Sequence, residues 1–378
     1  MKKIICTIIS AAMLFMLAPS AHAVSISGIS AKASIIIEAQ SGKVIAGKNE
    51  YEKLPMASTT KIMTTLLLIE SGGLDEEFRV DNNAIMVEGS SMGLCQDDIV
   101  TKRALCYGMM LPSGNDAANE TAVLLGGSAE KFADMMNEKA DQLGLEDTHF
   151  VTPSGLHDDK HYSTAYDMAK LTREALKNET FREICGTSSI KLKFGNPPYE
   201  RWLVNTNKLL ALYDGCIGVK TGFTDEAGRC LISAAEKDGV TLICVTLNAP
   251  NDWNDHIRMY DYGFSVTESR SADFDFSGLY VDVAGGDTDR VKVAPADVPQ
   301  YTIVNGEVPK MSYKVNLDKF IYAPVSKGRK AGTIEFYSGD DLIMTSELAA
   351  ENGCGVVINE YKPKWYEIIV EWFKRLIA

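Results

Sequence analysis

The chain has 378 residues, with 38 Lys and Arg against 51 Asp and Glu and a formal net charge of −13. That length points to two domains rather than one, and so acidic a balance excludes a nucleic-acid partner held by bulk charge. Met1 to Ala23 reads as a secretory signal peptide. Lys2 and Lys3 precede an apolar core from Ile4 to Leu17, and Ala21-His22-Ala23 supplies the cleavage site. The core is too short to span a bilayer comfortably, so an N-terminal anchor is the weaker alternative. Cys6 leaves with that segment. The mature chain keeps Cys95, Cys106, Cys185, Cys216, Cys230, Cys244 and Cys354. An odd count at irregular spacing is no disulfide framework, so free thiols are expected, with Cys216 and Cys230 the one pair weighed for a bridge.

An early strand is expected at Ser34 to Glu38 with Val44-Ile45. The motif Ser58-Thr59-Thr60-Lys61 follows Pro55 and opens an apolar helix from Lys61 to Glu70. Residues three apart on a helix share a face. Ser58 therefore sits near free backbone N–H groups at the helix start, with the Lys61 amine in reach of its hydroxyl. Burial and nearby cations lower a lysine pKa, which lets a neutral amine act as base. Taken alone, the motif fits an N-cap serine and a solvated lysine better; the two motifs that follow along the chain reverse that balance.

Helices are expected over Lys102 to Met110 and Asp116 to Leu125. Leu111-Pro112 breaks the chain between them, so Ser113-Gly114-Asn115 is read as a loop that can project a hydroxyl and a carboxamide into a cleft. A helix-capping role fits the same residues. Helices Ala129 to Leu143 and Thr164 to Lys177 come next. His149, His157 and His161 lie close together with Asp158 and Asp159, but no His-Glu-x-x-His string is present. The segment is read as an ordering loop. No metal and no cofactor is expected.

Cys216-Ile217-Gly218-Val219 is an apolar-alternating run that ends in Lys220-Thr221-Gly222. Strands Arg229 to Ala235 and Val240 to Leu247 follow, joined by the tight turn Asp238-Gly239. Lys220 is thus placed on a strand of an antiparallel sheet, and Gly222 is read as the spot where a substrate backbone can approach the strand edge. Together the three motifs offer a nucleophile, a base, a second hydroxyl and an electropositive strand. That set can run acyl transfer through a serine without histidine.

The pattern changes after about Phe264. Short alternating runs at Tyr280 to Val283, Val291 to Val293, Met311 to Leu317, Lys319 to Ala323 and Thr333 to Phe336 suggest a small all-β domain. Ser338-Gly339-Asp340-Asp341 is its expected hairpin loop. In the last stretch, Lys364 to Ala378, Trp365, Ile368, Ile369, Trp372, Phe373 and Leu376 share one helical face. Glu367, Glu371, Lys374 and Arg375 take the other side. Such a helix lies in a membrane surface rather than crossing it. Packing on the β domain, or pairing with a second copy, are the alternatives.

These motifs, with Thr148-His149-Phe150, Pro153-Ser154-Gly155-Leu156 and Ser163-Thr164-Ala165-Tyr166-Asp167-Met168, resemble the serine D-alanyl-D-alanine carboxypeptidases, the low-molecular-weight penicillin-binding proteins of peptidase family S11. The likeness runs from about Ser30 to the C-terminus. It implies an α+β fold, a penicillin-binding-protein/β-lactamase-like catalytic domain with a helical cluster on an antiparallel sheet, followed by a small all-β domain. The implied division is signal peptide 1–23, catalytic domain 24–265, all-β stalk 266–360 and amphipathic membrane-anchor helix 361–378.

The resemblance also implies roles. Ser58 attacks the penultimate D-alanine carbonyl, Lys61 is the base, and Ser113 passes the proton to the leaving D-alanine. Asn115 is expected to bond a substrate amide. Lys220 raises the local potential, Thr221 holds the terminal carboxylate, and Gly222 lets the substrate in. The backbone N–H groups of Ser58 and Phe223 form the oxyanion hole. Partners are then peptidoglycan stem peptides, β-lactams as inhibitors, and the membrane outer face through the C-terminal helix. One departure stands out. Many relatives carry an Arg before the last catalytic-domain helix, where this chain has Asn251-Asp252-Trp253-Asn254-Asp255-His256. Arg229 and Arg258 are both left as candidates for the second carboxylate anchor. A β-lactamase, a D,D-endopeptidase, or a non-catalytic wall-binding protein are the alternative functions.

Overall fold

The structure is a computed structural model that describes residues 26–357 and 362–377. The expected signal peptide lies outside the described residues. The chain divides into two compact units, residues 1–269 with 302–308, and residues 270–301 with 309–378.

In the first unit, β1 (Ala33–Glu38) and β2 (Val44–Lys48) lead to a 3-10 turn at Ala57–Thr60 and helix α1 (Lys61–Glu70). A small ribbon, β3 (Glu77–Arg79) and β4 (Ile99–Thr101), brackets a long loop. Helices α2 (Lys102–Met110), α3 (Asn115–Gly126), α4 (Ala129–Gln142), α5 (Ala165–Ala175) and α6 (Glu179–Gly186) follow. A hairpin, β5 (Ser189–Gly195) and β6 (Pro198–Val204), and the single turn α7 (Leu209–Leu212) precede the sheet strands β7 (Cys216–Thr224), β8 (Gly228–Lys237) and β9 (Val240–Leu247). Helix α8 (Asp252–Ser265) closes the region.

The main sheet has five strands in the order β2-β1-β9-β8-β7, all antiparallel. Strand β7 is therefore an edge, with one row of backbone groups unpaired by the sheet. Both faces are covered, and the two-residue period shows why. Ile35 and Ile37 of β1, Ile232 and Ala234 of β8, and Ile243 and Val245 of β9 pack toward the helical cluster. Their neighbours Ile36, Leu231, Ala235, Leu242 and Cys244 pack on the opposite face with Met259 and Tyr260 of α8. The expected turn between β8 and β9 is tight, with both Asp238 (φ +50°) and Gly239 (φ +77°) left-handed.

Helix starts follow from capping. Thr101, Ser128, Thr164 and Asn178 each accept a backbone N–H of the first turn with their side chains. Each such cap is worth about 1 kcal/mol. Helix α1 is buried on nearly every side, Lys61 included, which makes it the centre of the helical cluster.

Past α8 the chain forms β10 (Thr267–Ser271), β11 (Tyr280–Ala284), β12 (Arg290–Pro295), β13 (Gln300–Val304), β14 (Met311–Leu317), β15 (Ile321–Tyr322), β16 (Lys330–Ser338) and β17 (Asp341–Ala350). Six of them form a sheet in the order β14-β16-β17-β12-β11-β15. Its core gathers Val281, Val293, Ile334, Phe336 and Leu348. Ser338 pairs directly with Asp341, so the expected hairpin loop is there. The run Lys319 to Ala323 shrinks to the two residues of β15, and β10 and β13 lack clear alternation in the sequence. Helix α9 (Trp365–Ile377) buries none of its residues. Among the described residues no helix is long and apolar enough to cross a membrane.

Candidate active site

Three elements converge on one cleft in the first unit. Ser58 lies inside the 3-10 turn rather than in α1 itself, and the turn runs straight into the helix at Lys61. Ala57, immediately before the serine, has φ +48°, a left-handed backbone that a side-chain-bearing residue adopts only when its surroundings force it. Ser113 shares this property at φ +66°.

The Lys61 amine is fully buried and has three partners. It lies 2.9 Å from Ser58 Oγ, 2.8 Å from Asn115 Oδ1 and 2.7 Å from the Ser154 carbonyl oxygen. Burial lowers its pKa well below the ordinary lysine value; the charge of Lys220 pushes the same way, while Asp116 opposes. Lys220 is also fully buried, donates to the carbonyl of Thr221 at 2.9 Å, and has its pKa lowered by burial to about 7. Neither lysine forms an ion pair with a carboxylate within 4 Å among the described residues, so desolvation goes largely uncompensated.

Asn115 is the first residue of α3, not part of the loop before it. Its carboxamide faces inward. Oδ1 takes Lys61, and Nδ2 donates to the Glu88 carbonyl at 2.7 Å. The next residue, Asp116, gathers the loop between β3 and β4. It accepts from Ser91 Oγ (2.6 Å) and from the backbone N–H groups of Met92 (2.9 Å), Gly93 (3.1 Å) and Leu94 (3.0 Å). Hairpin β5–β6 is tied to the same loop through Arg201, whose guanidinium meets Asp98 at 2.6 Å with both side chains buried. Phe194 and Tyr199 stack against that guanidinium.

The open part of the site is a cleft of about 340 Å³ lined by Ser58, Ser90, Ser113, Thr206, Lys208, Thr221, Gly222, Phe223, Arg229, Asp252 and Trp253. Thr221 Oγ1 shares a 2.7 Å hydrogen bond with Thr206 Oγ1. Arg229 is held by Asp252 at 2.9 and 3.0 Å and sits over the Trp253 ring. Arg258 instead donates to the Gly28 carbonyl and is absent from the lining.

Gly222 is required from a side not anticipated. A β-carbon there would lie 3.1 Å from Met56 O, Ser58 N and Thr59 N, so the missing side chain lets β7 press against the turn that carries Ser58. Phe223 is largely exposed at the cleft rim.

Thus Ser58, Ser113, Thr221, Gly222 and Phe223 share the cleft, with Lys61, Asn115 and Lys220 packed behind it. The Ser154 carbonyl, Thr206 and Lys208 were not anticipated; the first is a backbone group, and the other two lie in a stretch without motif character. The histidines do not form a cluster. His149 Nδ1 bonds the Lys160 carbonyl, His157 faces Asp159, and His161 points inward to Thr60. All seven described cysteines, Cys216 and Cys230 among them, are free thiols.

Comparisons with known proteins supply the family. The family model described as D-alanyl-D-alanine carboxypeptidase matches residues 20–251, and the penicillin-binding protein 5 C-terminal domain matches residues 264–354. The carboxypeptidase DacF of Bacillus subtilis is 34% identical over 374 residues, covering 93% of this chain and 94% of that one. The Streptomyces K15 DD-transpeptidase structure superposes with a TM-score of 0.61 at 33% identity, over 64% of this chain and all of that one. The carboxypeptidase DacD of Francisella tularensis shares the fold over 92% of this chain and 98% of that one, with a TM-score of 0.63 at 24% identity. A serine paired with a buried lysine, beside a second buried lysine on β7, lies on a chain matched along nearly its whole length, and those matches place it in peptidase family S11: it belongs to the serine D-alanyl-D-alanine carboxypeptidases of penicillin-binding-protein type.

Proposed function

We propose that Ser58 is the nucleophile and Lys61 its base, and that the substrate is the D-Ala-D-Ala end of a peptidoglycan stem peptide. The observation that carries this reading is the Lys61 amine itself. It is buried, held down in pKa, and 2.9 Å from Ser58 Oγ. A neutral amine has two N–H groups and one lone pair. The Asn115 carboxamide oxygen and the Ser154 carbonyl, both fixed acceptors, take the two N–H groups. The lone pair is then left to face the serine hydroxyl.

In the acylation step, Ser58 Oγ bonds to the penultimate D-alanine carbonyl carbon while its proton passes to Lys61. The C–N bond to the last D-alanine breaks, and Ser113 hands the proton to the leaving amine. The Ser58 and Phe223 N–H groups meet the developing oxyanion, a role supported by the close approach of β7 to the turn. Water then hydrolyses the ester. Lys220 and Thr221 favour the substrate carboxylate. Arg229 rather than Arg258 is the second anchor, because it stands in the cleft. A β-lactam acylates the same serine.

Residues 24–265 then form the catalytic domain and 266–360 a spacer. Helix 361–378 attaches the enzyme to the outer face of the membrane after export by the 1–23 signal. The exposed apolar face with two tryptophans supports that attachment.

The test is to incubate the mature protein with a fluorescent penicillin and with a D-Ala-D-Ala pentapeptide. A stable label and D-alanine release, both lost in Ser58→Ala, are expected. Rapid turnover of the label would indicate a β-lactamase instead.

A further inference from the structure

Outside the groups just assigned, a buried histidine is hydrogen-bonded to the turn that carries the nucleophile. His161 is 3% exposed, and both ring nitrogens are engaged. Nδ1 accepts the backbone N–H groups of Val151 (2.9 Å) and Thr152 (3.3 Å). Nε2 lies 2.8 Å from Thr60 Oγ1. The proton positions follow from these partners. Nδ1 faces two donors, so it carries no hydrogen and Nε2 does. Thr60 Oγ1 spends its own hydrogen on the Ala57 carbonyl at 2.8 Å, so it accepts from Nε2.

The two ends of this relay meet the two halves of the proposed nucleophile–base pair. One end, through Thr60, grips the carbonyl of Ala57, the left-handed residue directly before Ser58. The other grips the start of the loop whose Ser154 carbonyl holds the Lys61 amine. Two further contacts tie loop and helix together. Thr64 Oγ1 donates to the Pro153 carbonyl at 2.6 Å. Gly155 backs so closely onto Ala57 that a β-carbon there would sit 1.9 Å from the Ala57 carbonyl oxygen.

We propose that His161 is a positioning residue for acylation: through Thr60 it locks the strained Ala57–Ser58 link, and through Val151 and Thr152 it sets the Ser154 carbonyl on Lys61. This rests on the reading of Ser58 and Lys61 as nucleophile and base. His161 touches neither substrate nor reacting atom. A small displacement of the serine or amine is enough to be felt, since an error of about 1 Å costs up to about a hundredfold in rate.

The experiment measures the second-order rate constant of acylation by a fluorescent penicillin from about pH 5 to about pH 10, with thermal unfolding alongside, on the full mature chain. Thr60→Val keeps the shape and removes the relay hydroxyl; Thr60→Ser restores it. Thr60→Val is expected to acylate about tenfold or more slowly, with the rising limb of the pH profile moved upward as water reaches the lysine. Thr60→Ser is expected to recover both. His161→Gln is expected to show the same fall, and the double variant to be no slower than His161→Gln alone. If Thr60→Val folds and acylates with the parental rate and pH profile, the proposal fails. It fails equally if Thr60→Val lowers the melting temperature and leaves the profile in place. Loss of acylation in Ser58→Ala beside an unchanged Thr60→Val would overturn this relay alone. A Ser58→Ala protein that still acylates would overturn the underlying reading.

Discussion

Gly155 and Ala57 meet backbone to backbone: a β-carbon on Gly155 would stand 1.9 Å from the Ala57 carbonyl oxygen and 2.4 Å from its carbonyl carbon. Gly155 also has φ +84°, a conformation that other residues adopt only with strain. Neither obstacle can be relieved by swinging a side chain aside. Gly155→Ala is therefore expected to push the loop off α1 and drag the Ser154 carbonyl from Lys61. The cost is on the order of 2 to 3 kcal/mol in stability, with loss of penicillin acylation. Thermal unfolding and gel labelling check both parts.

Asn115 offers a cleaner electrostatic test. Its neutral oxygen lies 2.8 Å from the Lys61 amine. Asn115→Asp puts a carboxylate there, which favours the charged amine and raises the lysine pKa by on the order of 1 unit or more. The rising limb of acylation against pH should move upward by that amount, with the rate at neutral pH falling about tenfold. A profile unchanged in Asn115→Asp would mean that Lys61 is not the titrating base.

Lys220 makes a prediction about stability. Its folded pKa, about 7, lies far below the 10.5 of the unfolded chain. Between those values the unfolded state binds the extra proton, so this residue makes the fold more stable as pH rises from about 7 to about 10. Below about 7 the full penalty is in place. Lys220→Met should flatten that slope and raise the melting temperature at pH 7 by several degrees, while acylation is lost. Melting curves at several pH values, compared with the parent, decide it.

Arg229 and Arg258 separate by kinetics. Arg229 stands in the cleft, held by Asp252 and stacked over Trp253. Arg229→Ala should raise KM for the D-Ala-D-Ala peptide about tenfold or more, the usual size of a lost charged hydrogen bond. Arg258→Ala should leave KM where it was. The reverse pattern would move the anchor.

The chemistry was legible because it rests on side chains at short, fixed spacings. Ser58 and Lys61 are one turn apart, and Lys220 to Gly222 follows the apolar run Cys216 to Val219 on strand β7. What stayed hidden rests on tertiary contact. The Ser154 carbonyl has no side-chain signature. Asn115 is expected to face substrate, yet its carboxamide is used between Lys61 and Glu88, a pairing between distant segments. Gly222 is read as room for a substrate backbone, and its close packing on the Ser58 turn, a second reason for the missing side chain, is a contact between distant segments. Two misses did carry a local signal. Ile190, Leu192 and Phe194 alternate along β5, and Asn178 caps α6. Both segments are short and lie among polar residues, which weakens a periodic pattern.

The most direct measurement is the pH dependence of penicillin acylation, with the labelled residue located by mass spectrometry, in the parent and in Lys61→Gln. The expected result is a label on Ser58 that forms faster as one group with a pKa well below that of free lysine loses its proton, and no such rise in Lys61→Gln. A label on any other residue, or the same rise surviving in Lys61→Gln, would contradict a neutral Lys61 as the base that activates Ser58.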